Sequence, residues 1–279
     1  IFGVEKVDED YTCSGGKTLT QLMHTGRVSH PGNMEQGTTI LAPSAIAMGG
    51  EMYTASEGPQ PYPVPKAMSL DEIKSTQQEY VQASNNAVRA GFDGVELHGA
   101  NGYLIDQFIN TASNKRDDEY GGSIENRCRF AIEVAEQVVN AIGPKRTGIR
   151  LSPYGAFNDM EADDDMDEVF EYLSRELGKL GLLYIHIVDH SAMGAPEVPE
   201  RVKTKIREAF SGDIIASGGL TKQSAEIILN ENQAALVAFA RPYLANPDLV
   251  HKFKHDLPLN EPDFDTFYTP GEKGYSDYA

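Results

Sequence analysis

Short apolar segments alternate with segments of helical period from Lys17 onward, and this alternation restricts the fold more than any other feature. It is typical of a parallel sheet whose successive strands are joined by helices. The predicted strands are 17–22, 94–97, 147–151, 183–188, 213–216 and 234–239. The predicted helices are 69–90, 123–141, 165–180, 200–210, 222–230 and a last helix that begins near residue 247. The sequence therefore predicts six strand-then-helix units.

Two architectures use parallel strands joined in this way: the closed barrel of eight units and the open, doubly wound sheet. Polar loops follow successive predicted strands, and the chain has no G-x-G-x-x-G fingerprint, which favours the barrel. We therefore expect an α/β fold, a TIM (β/α)8 barrel truncated at its N-terminus to about six units. At ~30 residues a unit, the two absent units correspond to roughly 60 residues. Residues 1–279 are expected to form a single barrel domain, incomplete at its N-terminus.

Composition narrows the range of partners. The formal net charge is −18, from 24 Lys and Arg against 42 Asp and Glu, which disfavours binding to nucleic acid or an anionic membrane. Two cysteines, Cys13 and Cys128, are too few for a disulfide framework or a four-cysteine cluster. The sequence shows neither a membrane-spanning apolar run nor a signal peptide. We expect a cytoplasmic protein with a small-molecule substrate and no metal, and a homo-oligomer is possible.

Polar side chains follow the predicted strand 94–97. His98, Asn101 and Tyr103 lie in a loop punctuated by glycines. In α/β barrels the loops at the carboxyl ends of the strands carry the chemistry. The loop is therefore a candidate catalytic site, and a polar turn with satisfied hydrogen bonds is the alternative.

Two further loops have the composition of a phosphate site. Gly218 and Gly219 follow the strand counted as the seventh, and Ala240 and Arg241 follow the eighth. Loops at these places in α/β barrels commonly bind phosphate through backbone N–H groups. Glycine permits a close approach of the backbone, and an arginine supplies the opposite charge. Two ordinary tight turns are the alternative.

Single polar residues also occur in or at the ends of apolar strands. Arg150 must be paired or face a ligand to offset its desolvation, and a structural salt bridge is the alternative. Gln21 can both donate and accept hydrogen bonds at a strand end. We expect His186 to be a hydrogen-bonded core residue, and we expect residues 163–165 to be a solvated, acidic helix start.

Together these residues resemble the old yellow enzyme family of FMN-dependent ene-reductases, and the alkene or N-ethylmaleimide reductases in particular. The resemblance extends over nearly the whole chain, and the loop after His98 is its most specific part. The matching motifs are 21–27, 98–108, 120–127, 150–153, 241–249 and 265–268.

The resemblance implies FMN as cofactor and NAD(P)H as electron donor. It also implies that the flavin ring is hydrogen-bonded by Gln21 and Arg150. The residues that it assigns to the FMN phosphate are Gly218, Gly219, Ala240 and Arg241.

The resemblance further implies reduction of the C=C bond of α,β-unsaturated carbonyl or nitro compounds. His98 and Asn101 would bind the carbonyl or nitro oxygen, on which negative charge develops. Tyr103 would give the proton, and Tyr268 and Met23 would line the substrate pocket.

The sequence departs from the family pattern at two of these positions, and it leaves two alternatives open. Ala240 stands where the family usually has glycine, and Met23 stands where some members have tryptophan. One alternative is a truncated, flavin-poor and inactive remnant of such a barrel. The other is an isomerase or aldolase with a phosphate-bearing substrate, which the lack of a lysine at a strand end disfavours.

Overall fold

A computed structural model describes residues 15–267 and 269–278. The strands in this part of the chain are β1 (Leu19–Leu22), β2 (Leu41–Ala42), β3 (Glu51–Thr54), β4 (Gly58–Pro61), β5 (Lys66–Ala67), β6 (Gly94–Gly99), β7 (Thr147–Leu151), β8 (Tyr184–Val188), β9 (Asp213–Ser217) and β10 (Leu236–Ala238). The helices are α1 (Leu70–Arg89), α2 (Leu104–Ile109), α3 (Ile124–Ile142), α4 (Met166–Lys179), α5 (Glu200–Ala209), α6 (Lys222–Asn230), α7 (Arg241–Ala245) and α8 (Leu249–His255). None of these helices is both long enough and apolar enough to cross a membrane.

Six strands form one parallel sheet in the order β1-β6-β7-β8-β9-β10. Each strand except β1 therefore lies beside the strand of the preceding unit, as in an α/β barrel. Within the described residues, β1 and β10 each pair with one neighbour in this sheet. The predicted six units and the predicted barrel class are confirmed.

Successive side chains of a strand point to opposite faces of the sheet, and in β6 one of these faces belongs to the hydrophobic core. Val95 and Leu97 on β6 are fully buried in the hydrophobic core that the helices cover. Glu96 and His98 alternate with them, so they point to the opposite, inner face of the sheet. Burial of each large apolar side chain contributes about 2 kcal/mol, and this fixes which face of the strand is turned inward.

Several elements differ from the sequence prediction. The segment between the predicted strand 17–22 and the predicted helix 69–90, for which no strand was predicted, contains the antiparallel hairpin β3–β4 and the short parallel pair β2–β5. Helix α2 was not predicted, since it has only six residues and all of them are buried. The last strand is shorter than predicted, and the predicted terminal helix begins at Leu249 after the separate helix α7.

The start of α1 is fixed by a capping box. Ser69 Oγ accepts a hydrogen bond from the backbone N–H of Glu72, and the Glu72 carboxylate accepts one from the backbone N–H of Ser69. Two of the backbone N–H groups that a helix start leaves unpaired are thereby satisfied, which explains why this boundary was predictable.

We expect Ser69→Ala to lower the free energy of unfolding by about 1 kcal/mol, because it removes the side-chain cap of α1. Ser75→Ala, at an exposed position inside the same helix, is the matched control and should change stability by less than about 0.5 kcal/mol. Urea denaturation followed by circular dichroism measures both changes. Equal effects of the two substitutions would contradict the capping role.

Candidate active site

The loop after β6 brings three predicted site residues together. His98 is buried near the end of β6, and Asn101 and Tyr103 are half-buried just before α2. The rings of His98 and Tyr103 lie 5.2 Å apart, centroid to centroid. Asn101 has a φ of 61°, in the left-handed region that asparagine tolerates better than most residues. This backbone turn places the Asn101 side chain on the same edge of the sheet as His98.

A buried carboxylate clamps this loop. Asp106 Oδ2, on α2, accepts hydrogen bonds from the backbone N–H of Gly102 at 2.8 Å and from Ser152 Oγ at 3.1 Å. Ser152 Oγ in turn accepts one from the backbone N–H of Asn101 at 2.8 Å. Since Ser152 directly follows β7, the loop is tied to the neighbouring strand as well as to its own helix.

His98 is neutral at physiological pH. Burial, assisted by the nearby positive charge of Arg150, lowers the pKa of its imidazole to about 4. A neutral imidazole carries one N–H donor and one acceptor nitrogen. His98 can therefore donate a hydrogen bond to an uncharged oxygen without itself bringing a positive charge.

Three side chains with nitrogen atoms form a row on the inner face of the sheet. His98 is in register with Arg150, and Arg150 is in register with His186 on the next strand. His98 Nδ1, Arg150 Nε and His186 Nε2 are each buried without a hydrogen-bond partner among the described residues. Buried polar atoms in proteins nearly always have partners. The row therefore fits a polar, heteroatom-rich ligand lying across the inner face.

Beside this row, a carboxylate links β1 to β8. Gln21 Nε2 donates to Glu96 Oε1 at 2.6 Å, and His186 Nδ1 lies 3.0 Å from Glu96 Oε2. His186 is thus hydrogen-bonded through Nδ1, as predicted. Its second nitrogen, Nε2, has no partner among the described residues and belongs to the row. The Gln21 Nε2 group is engaged within the protein, and among the described residues its carbonyl oxygen accepts no hydrogen bond.

The two predicted phosphate loops lie at the same edge of the sheet, after β9 and β10. Gly218 and Gly219 have φ values of 123° and 60°, which side-chain-bearing residues rarely adopt. A Cβ at Gly218 would clash with the carbonyl oxygen of Asp189, and one at Gly219 with the side chain of Ala192. Only glycine fits this packing, which leaves the backbone of the loop bare of side chains.

Ala240 and Arg241 lie at the start of α7, after β10, the strand that pairs with β9. Ala240 occupies the position before the helix, and Arg241 is the first helical residue and is half-buried. The positive charge of Arg241 contributes to lowering the pKa of His190. This arrangement of bare backbone and cation suits a phosphate monoester.

Of the two residues predicted to line the substrate pocket, the structure describes one. Met23 follows β1, and its side chain is half exposed. Tyr268 lies outside the described residues.

The prediction of a solvated, acidic helix start at residues 163–165 was right about the helix, which begins at Met166, and wrong about the solvation of two of the three carboxylates. Asp163 and Asp165 are not simply solvated, because both pair with the buried guanidinium of Arg127, at 3.6 Å and 2.5 Å. Asp163 also accepts a hydrogen bond from Thr111 Oγ1. These carboxylates compensate a buried charge, which an acidic run in the sequence does not reveal.

Sequence reasoning also missed Glu96, Asp106, Ser152 and His190. Glu96 carried a usable signal, since it is a charge within an apolar strand in the same way as Arg150. The other three owe their importance to contacts between loops that are 46 to 89 residues apart in the chain.

Comparison with known proteins decides the family. The sequence profile of the NADH:flavin oxidoreductase / NADH oxidase family matches residues 3–260. The chain belongs to this family. The resemblance to old yellow enzyme is thereby confirmed at the level of the family.

Similar sequences include proteins from a protozoan and a plant. A probable flavin mononucleotide-dependent alkene reductase of Leishmania infantum is 42% identical, over 100% of this chain and 76% of its own length. The 12-oxophytodienoate reductase 2 of Arabidopsis thaliana is 39% identical, over 95% of this chain and 71% of its own length.

Similar structures share the fold closely. Morphinone reductase superposes with a TM-score of 0.94 at 40% identity, over 99% of this chain and 75% of its own. An old yellow enzyme homologue from Zymomonas mobilis gives a TM-score of 0.91 at 35% identity, over 99% of this chain and 77% of its own. Morphinone reductase has also been solved in complex with tetrahydroNAD, with a TM-score of 0.92 to this chain.

The Asp106 clamp predicts a pH effect. Burial raises the pKa of Asp106 to about 6, although its hydrogen bonds from Gly102 and Ser152 favour the carboxylate. The carboxyl of Asp106 therefore binds a proton more tightly in the folded protein than in the unfolded chain. The stability that this bound proton contributes is lost as the pH rises from about 4 to about 6. We expect the stability of Asp106→Asn, relative to the wild type, to rise by about 2 to 3 kcal/mol between about pH 4 and about pH 7.

Urea denaturation at a series of pH values measures this difference. Asp117→Asn, at an exposed position, is the matched control and should give a nearly constant difference from the wild type. A constant difference for Asp106→Asn as well would show that the buried carboxyl titrates as it does in water.

Proposed function

We propose that this protein is an FMN-dependent oxidoreductase that uses NAD(P)H to reduce the C=C bond of α,β-unsaturated carbonyl or nitro compounds. The observation that carries the proposal is the row of unpartnered nitrogens of His98, Arg150 and His186 beside the Asn101–Tyr103 loop. Membership of a flavin oxidoreductase family and similarity to an alkene reductase support it. The alternative of an isomerase or aldolase has no such support.

The residues present fit FMN. The buried Nε of Arg150 and the carbonyl oxygen of Gln21 would meet the polar edge of the flavin ring. The side-chain-free backbone at Gly218 and Gly219 would meet the phosphate together with the start of α7 at Ala240 and Arg241. The chemistry that FMN supplies is the acceptance of a hydride from NAD(P)H and its donation to the activated alkene.

His98 and Asn101 would bind the substrate's oxygen. Both side chains can donate a hydrogen bond, and the clamp of Asp106 and Ser152 holds the loop before substrate arrives. Donors fixed at the place where negative charge develops lower the barrier more than mobile ones, since they need no reorganisation. Met23 and Tyr268 are proposed to line the same pocket.

Tyr103 would supply the proton. Its phenol ring lies 5.2 Å from the ring of His98, so an oxygen held by His98 brings the substrate's α-carbon near the phenol. An un-ionised phenol can act as a general acid at neutral pH. Saturation of the C=C bond needs one hydride and one proton, and Tyr103 would give the proton.

The first test is the visible absorbance of the protein after addition of FMN and desalting. We propose that a flavin band is retained, is bleached by NAD(P)H and returns on addition of an enone. A protein that unfolds cooperatively but retains no flavin would instead support the flavin-poor remnant.

We expect Arg150→Met to weaken FMN binding by about tenfold or more, because it removes the half-buried cation on the inner face. Arg146→Met removes an exposed arginine just before β7 and is the matched control, with FMN binding expected to stay unchanged. Fluorescence titration with FMN measures both affinities. Equal affinities of the two variants would place the flavin away from Arg150.

We expect Tyr103→Phe to lower kcat for enone reduction by about 10²-fold with little change in KM, because the proton donor is lost while the oxygen-binding groups remain. Tyr53→Phe, at a side chain that is 73% exposed, is the control. Steady-state kinetics with a cyclic enone measures the effect. An unchanged kcat in Tyr103→Phe would assign the proton to solvent or to another group.

A further inference from the structure

His190 reaches the active-site loop from the loop that follows β8. Its Nε2 lies 2.8 Å from Oδ1 of Asn101. The ring of His190 also packs against the ring of Phe157, with a centroid distance of 4.4 Å. Since Phe157 belongs to the loop after β7, loops from three adjacent strands meet at this contact.

The backbone on both sides of the contact is fixed. The carbonyl of His190 accepts hydrogen bonds from the backbone N–H groups of Met193 and Ala195. The carboxylate of Asp189 accepts one from the backbone N–H of Ser191 and pairs with Lys203. The backbone of His190 is therefore held in a folded turn, and its ring packs against Phe157.

The backbone of Asn101 is held in place by hydrogen bonds on both sides of the residue. Its N–H donates to Ser152, and its carbonyl accepts a hydrogen bond from Asn158 Nδ2 at 2.7 Å. What remains free is the rotation of the side-chain amide, which decides whether the oxygen or the NH2 group faces the substrate. Among the described residues, the contact of the Asn101 amide with a side chain is the one to His190.

His190 is held in its neutral form by its surroundings. Burial, with Arg150 and Arg241 on the same side, lowers the pKa of the imidazole, while Asp189 opposes this effect. A neutral imidazole carries its proton on either Nε2 or Nδ1. With the proton on Nε2, the ring donates to Asn101 Oδ1. With the proton on Nδ1, the bare Nε2 would accept from the Asn101 NH2 group.

We propose that His190 is a positioning residue that donates its Nε2–H to Asn101 Oδ1, so that Asn101 turns its NH2 group toward the carbonyl or nitro oxygen of the substrate. The inference rests on the proposed function. A carbonyl or nitro oxygen accepts hydrogen bonds only, so an Asn101 amide turned the other way would repel it. In this arrangement the position of one proton on the His190 ring decides which group of the Asn101 amide faces the substrate's oxygen: the NH2 group, which binds it, or the carbonyl oxygen, which repels it.

The tautomer of His190 is the first test. We expect two-bond ¹H–¹⁵N spectra of the FMN-loaded, histidine-labelled protein to show a protonated Nε2 for His190 at neutral pH. The signal is assigned by its loss in His190→Gln. A protonated Nδ1 with a bare Nε2 would overturn the proposal, whatever the catalytic activity.

A double-mutant cycle is the second test. We expect His190→Leu to lower kcat/KM for an enone by about tenfold, mainly through a higher KM, because the Asn101 amide is free to turn. The same change in an Asn101→Ala background should have almost no further effect. His190→Gln keeps an N–H donor and should restore most of kcat/KM. Flavin content and melting temperature of each variant control for folding.

Two outcomes separate the positioning role from the proposed function. An undiminished loss from His190→Leu in the Asn101→Ala background would show that His190 does not act through Asn101, and it would overturn the positioning role alone. Failure of the FMN-loaded wild type to reduce any enone or nitroalkene would overturn the proposed function, while the tautomer would still decide the direction of the hydrogen bond.

Discussion

The positive charge of Arg150, half-buried on the inner face of the sheet, is the constraint on which the rest of the site depends. Burial lowers the pKa of this guanidinium, and the negative charge of Glu96 opposes the shift. Arg150 adds to the effect of burial on His98 and on His190 and helps to keep both rings neutral. A neutral ring can donate a hydrogen bond to an oxygen without adding a further positive charge to those of Arg150 and Arg241. A further charge would be unfavourable there, because the site is partly removed from water.

The geometry of the two groups proposed to bind the substrate's oxygen depends on contacts between strands. His98 is placed by β6 itself, whereas Asn101 is placed by partners after β7 and β8. A parallel sheet brings these partners together, because all of its strands end at the same edge. The precision of the site is therefore shared among loops that are far apart in the chain, and no single loop contains it.

Sequence patterns revealed the frame and part of the site. The six parallel strands were predictable because each has an apolar core face, and α1 was predictable because Ser69 and Glu72 form a capping box. Helix α2 could not be found, since its six residues are buried on every side and show no helical period of apolar and polar residues. Periodicity reports a boundary between core and solvent, and α2 has none.

The residues that join loops were out of reach for a similar reason. The roles of Asp106 and His190 follow from distances to Ser152 and Asn101, and neither distance is encoded by a local pattern. His98, Asn101 and Tyr103 were found from their motif, and the structure places them together. Asp163 and Asp165 show the opposite case, in which a pattern typical of a solvated surface hides the partners of a buried arginine.

The close packing of Gly218 against Asp189 has a consequence for the evolution of this protein. The turn that carries His190 rests directly on the glycine loop, so a side chain cannot be gained at position 218 unless the turn moves away. Such a displacement would carry His190 with it. A change in one of these two loops during evolution therefore requires a change in the other. We expect position 218 and the turn that carries His190 to vary together among relatives.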